Sequence, residues 1–140
     1  MSGINNAGNF VGWYQTGSCN IDRCTKIRFH GTLNGAKHDV RGAIDTQLYG
    51  INDSGDIVGW FASVSDTGGF LDENGKGIVF INYPGGGLTI PYGVDDQDQL
   101  GRYYVVGGYA DLSGNQHGFI AEVTRDENAP PSLQRRAFRR

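Results

Sequence analysis

The sequence predicts an all-β protein of about three four-stranded antiparallel repeats, 43–48 residues each, arranged like the blades of a β-propeller. Three observations predict it. The chain repeats itself at a blade-sized interval. Its 23 glycines punctuate short runs of Val, Ile, Tyr, Phe and Trp, and no segment keeps a helical period.

The repeat is read directly from the residues. Gly3-Ile4-Asn5-Asn6-Ala7-Gly8-Asn9-Phe10-Val11-Gly12-Trp13-Tyr14 returns 47 residues later as Gly50-Ile51-Asn52-Asp53-Ser54-Gly55-Asp56-Ile57-Val58-Gly59-Trp60-Phe61. A third copy starts 43 residues on, at Gly93-Val94-Asp95-Asp96, and its second half, Val105-Val106-Gly107-Gly108-Tyr109, lies 48 residues after its counterpart. The five extra residues predict a longer turn in the third hairpin, because loops absorb insertions that strands cannot. In each copy, Asn and Asp residues that tolerate a left-handed backbone separate two apolar runs, which describes a β-hairpin. A second module follows, with Gly69-Phe70-Leu71, a turn at Glu73-Asn74-Gly75, the run Gly77-Ile78-Val79-Phe80-Ile81-Asn82 and a stop at Tyr83-Pro84-Gly85-Gly86.

A four-stranded blade is apolar on both faces and buries them against its neighbours. Trp13, Trp60, Phe61, Phe70, Phe80 and Phe119 are the candidates for that packing. The opening hairpin and the closing strand around Gly118–Val123 are expected to be complementary parts of one blade. The count is then about three blades, below the roughly four to eight of propellers, so closure by oligomerisation is expected, most simply as a two-fold dimer. An open, solenoid-like stack with covered ends is the alternative.

Charge divides the chain into a repeat domain, 1–123, and a basic tail, 124–140. The first holds 7 basic and 13 acidic residues, the second 5 arginines and 2 acids. An acidic body argues against nucleic acid as partner. No run approaches the roughly 20 apolar residues of a membrane helix. Met1 leads at once into turn-like sequence with no signal peptide, which is expected of a processed chain or a piece of a longer array.

Val106-Gly107-Gly108-Tyr109-Ala110-Asp111, Gly114-Asn115 and His117-Gly118-Phe119, with the Gly-Ile-Asn-Asp hairpin and the Tyr-Pro-Gly turn, resemble the bacterial extracellular HAF repeats. The resemblance covers roughly residues 2–123, with Arg41 standing where the motif has proline. It implies a repeat architecture and a secreted or cell-surface location, and carries no catalytic residues. With that setting and an even cysteine count, Cys19 and Cys24 are expected to close a disulfide; zinc would need more ligands than these two offer.

Two functions remain open. One is a non-catalytic binding or structural module whose partner is a glycan or another protein, with Trp13, Tyr14, Trp60, Tyr103, Tyr104 and Tyr109 as the aromatic contacts. The other is a secreted hydrolase using carboxylates near the propeller axis. A shallow aromatic-polar pocket recurring from blade to blade would favour the binder. No cofactor is expected. Asp53, Asp56, Asp95 and Asp98 are weak calcium candidates, since Asn, Asp and Gly are also what a bare turn requires.

Overall fold

Short β-branched and aromatic runs form the strands, and Asn/Asp-Gly turns reverse the chain between them. The computed structural model describes residues 1–124 apart from positions 22 and 75, so the basic tail lies, Thr124 excepted, outside the described residues. In chain order the strands are β1 (Gly3–Ile4), β2 (Phe10–Thr16), β3 (Cys19–Asn20), β4 (Arg23–Cys24), β5 (Arg28–Leu33), β6 (Ala36–Lys37) and β7 (Asp45–Ile51). They continue with β8 (Ile57–Ala62), β9 (Thr67–Glu73), β10 (Gly77–Ile81), β11 (Thr89–Val94), β12 (Arg102–Ala110) and β13 (Gln116–Thr124). No helix occurs among the described residues, so none is long and apolar enough to cross a membrane.

Three antiparallel meanders result. The first sheet runs β1-β2-β5-β6, the second β7-β8-β9-β10 and the third β11-β12-β13, with β3-β4 as a separate small hairpin. The sheets hold 4, 4 and 3 strands, where four were expected in each. The opening hairpin does not complete the last unit. β1 and β2 pair with each other and then with β5, while β13 pairs with β12. Each repeat therefore begins at its Gly-Ile strand and runs forward through its own sheet.

The turns at Gly8 and Gly55 are the same structure. Each glycine has a positive φ, 81° and 85°, and each amide returns to the carbonyl three residues back, on Asn5 and Asn52. The longer third hairpin keeps that turn. Gly101 N–H returns to the Asp98 carbonyl, and the extra residues lengthen the arms around it instead of the turn.

The sheets stack in sequence, β7 against β2 and β5, and β11 against β7, β8 and β9. Call the face toward the next sheet the front and the opposite face the back. The front of the first sheet (Val11) meets the back of the second (Ile57, Phe61, Phe70), with Val40 and Leu48 in the same cluster. The front of the second (Val58, Leu71) meets the back of the third (Tyr103, Val105, Phe119, Ala121). Because β8 is covered on both faces, it reads as a continuous apolar run instead of alternating. Close approach of the first strands depends on the repeat glycine. A Cβ on Gly3 would lie 2.8 Å from the Tyr49 carbonyl oxygen, and one on Gly50 2.6 Å from that of Tyr92.

Of the expected packing aromatics, Phe61, Phe70 and Phe119 are buried between sheets. Trp60 is half-buried, while Trp13 and Phe80 are exposed.

Candidate functional site

A cleft opens at each seam between sheets, and two of its positions are equivalent in both. In both, a residue after the last strand of one sheet donates its amide to a threonine hydroxyl at the start of the next. Val40 bonds to Thr46 at 3.1 Å, and Tyr83 to Thr89 at 3.0 Å. Opposite stands the aromatic of the second strand, Phe61 at the first seam and Tyr109 at the second. The first cleft, about 330 Å³, is lined by Val40, Phe61, Phe80 and a polar loop. The second is larger, about 570 Å³, and lies within the size range of small-ligand sites.

Strand register builds the second cleft. Tyr109 and His117 are directly opposed on β12 and β13, and their rings stack at 5.0 Å and 23°. Tyr83, delivered by the turn ahead of β11, stacks on the tyrosine at 3.8 Å and 6°. Tyr109 is thus the middle ring of a three-ring stack, with Tyr83 and His117 as the outer rings. His117 Nε2 lies 2.9 Å from Asp111 Oδ2, in the turn joining the two strands. That contact, with the Asn115 and Ser113 amides, holds the Asp111 carboxyl far below the ordinary carboxylate range. The aspartate stays ionised and fixes the imidazole against the tyrosine. Gly118, Phe119 and Ile120 complete the wall along β13, the strand that has no fourth partner among the described residues.

The arrangement presents flat apolar ring faces beside phenol and imidazole edges. Its chemistry suits a ligand with an apolar face and a polar rim. Among the described residues the lining holds no carboxylate, and Asp111 stands behind His117.

Of the six aromatic residues expected to meet a ligand, only Tyr109 lines this cleft. Tyr103 is 2% exposed, in the second core, and has no face to offer. Trp13 packs edge-on against Phe29 at 5.5 Å, and Tyr14 lies against His30 at 5.3 Å. Trp60 has its indole N–H buried without a partner among the described residues. Tyr104 stands on the front of the third sheet. Tyr83 and His117 escaped the sequence reading because one looks like part of a turn and the other like a repeat signature. The Tyr-Pro-Gly turn at 83–85 was the available signal for Tyr83.

The acidic turn residues are engaged by the chain itself. Asp53 accepts the Asn6 amide at 2.8 Å, and Asp56 accepts the Asn52 side-chain amide and the Asn74 backbone. Asp95 accepts the Tyr104 amide, and Asp98 accepts the amides of Leu100 and Arg102 together with the Arg102 Nε. No group of three or more His, Cys, Asp or Glu placed to hold a metal occurs among the described residues. Cys19 lies directly opposite Cys24 on β3-β4.

No family model, curated protein or solved structure matches the chain.

Proposed function

We propose that this chain is a non-catalytic extracellular repeat module that binds a glycan at the Tyr83–Tyr109–His117 cleft. The observation that carries the reading is recurrence: a cleft at both seams, with an aromatic of the second strand at the same repeat position in each, aromatic and polar at the second. Catalytic sites are single constellations, whereas a repeated pocket is what a repeat-built binder offers to an extended polymer. A pyranose has a C–H face that stacks on an aromatic ring and hydroxyls that reach its polar edges. The hydrolase alternative calls for two carboxylates about 5–10 Å apart across the ligand. Asp111 is the one carboxylate bonded to the ring stack among the described residues, and it is held by His117.

The same proposal takes the stacked sheets as propeller-like blades of the HAF-repeat kind, in a secreted protein, closed into a ring by self-association. It takes Cys19–Cys24 as a disulfide. The Thr25 amide bonds the Ser18 carbonyl, which makes the next pair, Cys19 and Cys24, a non-hydrogen-bonded one, where opposed Cα atoms lie closest.

Calorimetric titration with cello-, chito- and xylo-hexasaccharides tests the ligand. At least one should bind, and Tyr109→Ala, which removes the ring that holds Tyr83 and His117 in line, should weaken it about tenfold or more. Failure of all three probes, or a Tyr109→Ala protein that binds as well as the parent, would overturn the glycan reading.

A further inference from the structure

Two sheet faces have no cover among the described residues. One is the front of the third sheet. Its register matches the buried fronts position by position: Gly93 and Val106 pair as Gly50 and Val58 do, and Val106 and Ile120 pair as Val58 and Leu71 do. In the second sheet Val58 and Leu71 are fully buried. In the third, Val106 is 45% and Ile120 60% exposed, with Tyr92 and Tyr104 beside them. A Cβ on Gly69 would strike Pro91 of the next sheet, while one on the equivalent Gly118 meets nothing closer than 3.9 Å. The slot that receives a following first strand is formed and open.

The other uncovered face is the back of the first sheet. Its Ile4 is 60% exposed, although its counterparts Ile51 and Val94 pack on the preceding sheet. Tyr14, counterpart of the buried Phe61, is exposed on the same face.

We propose that the front of the third sheet docks on the back of the first sheet in a second copy of this chain, so that two chains close six sheets head to tail. The inference rests on the ring reading above and names the surface that makes it. Among the described residues both sheet-to-sheet interfaces are of this front-to-back kind, leaving one front and one back of matching pattern. Six sheets fall within the range of closed propellers.

One polar contact is missing from the proposed junction. Within the chain, the Asn5 side-chain amide donates to the Asn52 carbonyl at 3.0 Å, and the Asn52 side-chain amide to the Asp95 carbonyl at 2.8 Å. The next residue in that series is Asp95, whose carboxyl group has no N–H. Its Oδ1 already does what Asn5 and Asn52 do with theirs, accepting the amide opposite in its own hairpin. Asp95→Asn therefore keeps the local bond and supplies the absent donor.

Light scattering against concentration, on the full chain, tests the surface. The parent should show about twice the 15.2 kDa of one chain. Val106→Arg and Ile4→Arg should each give 15.2 kDa with unchanged circular dichroism, and their mixture should recover a two-chain species through the one intact junction. Asp95→Asn should move the association midpoint about fivefold lower for each junction, one hydrogen bond's worth. A parent that remains a monomer at every concentration removes the ring and the surface together. A multimer that Val106→Arg leaves intact keeps self-association but overturns this surface, and an Ile4→Arg protein that still dimerises overturns the head-to-tail pairing.

Discussion

Gly69→Ala and Gly118→Ala add the same methyl group at equivalent positions of the second and third sheets, and only one should destabilise the fold. At Gly69 the new carbon would sit 2.5 Å from Pro91 Cδ and 2.7 Å from both Pro91 Cγ and the Ile81 carbonyl oxygen. Carbon atoms rest at about 3.5–4.0 Å, so the sheets must part by about 1 Å. The Pro91 ring is rigid and fully buried, and cannot swing aside. Overpacking of this kind costs about 1–3 kcal/mol, offset by about 0.5–1 kcal/mol for replacing a strand glycine. A net loss of up to about 2.5 kcal/mol lowers Tm by up to roughly 10 °C in a domain of this size. At Gly118 the nearest atom is the Gly107 carbonyl oxygen at 3.9 Å, so the backbone gain stands alone and Tm should hold or rise slightly. Both should be melted in a Val106→Arg background, which removes any contribution from association. Equal melting temperatures for the two variants would refute the stacking of β11 on the front of the second sheet.

Three further outcomes follow from local geometry. Gly55→Val should cost about 1–3 kcal/mol through its positive φ, with Gly55→Asn milder; Gly8→Val should cost less than Gly55→Val in urea melts, because a side chain at 55 also crowds Asn74 Nδ2 at 2.8 Å and nothing crowds position 8. Intact mass under oxidising conditions should show Cys19 and Cys24 lacking two hydrogens, and reduction should cost about 2 kcal/mol for so short a loop; two alkylatable thiols would refute the bridge. The hydrogen bond to Asp72, 3.0 Å away, raises the His38 pKa above 6.5 despite opposing burial, with Asp72 and Asp39 charges assisting. A raised folded pKa stabilises fully below 6.5 and is lost as pH climbs through the folded value. His38→Gln should therefore flatten the fall in stability from pH 6 to 8, by less than about 1 kcal/mol for a pair this exposed, and an unchanged profile would show that the pair does not form.

The sequence by itself determined whatever depends on near neighbours. Gly8 and Gly55 are legible as left-handed turn positions because φ is a property of one residue, and the all-β character of the chain is legible because glycines punctuate short β-branched and aromatic runs that keep no helical period. The strand equivalences are legible because the repeat carries them, down to Val11, Val58 and Val106. Where a repeat begins is a different matter. A periodic pattern has no origin, so the opening hairpin read equally well as the missing half of the last unit. Backbone hydrogen bonds from β2 to β5 assigned it to the first sheet instead. Likewise, Tyr83 meets Tyr109 only because two sheets pack at a fixed stagger, a relation that no local spacing encodes, whereas His117 reaches the same ring through the register of their shared hairpin. Tyr103 looked like its neighbour Tyr104, and pleating sent one ring into the core and the other to the surface. Which face of a strand is buried depends on what lies across from it, and only the stacking of whole sheets decides that.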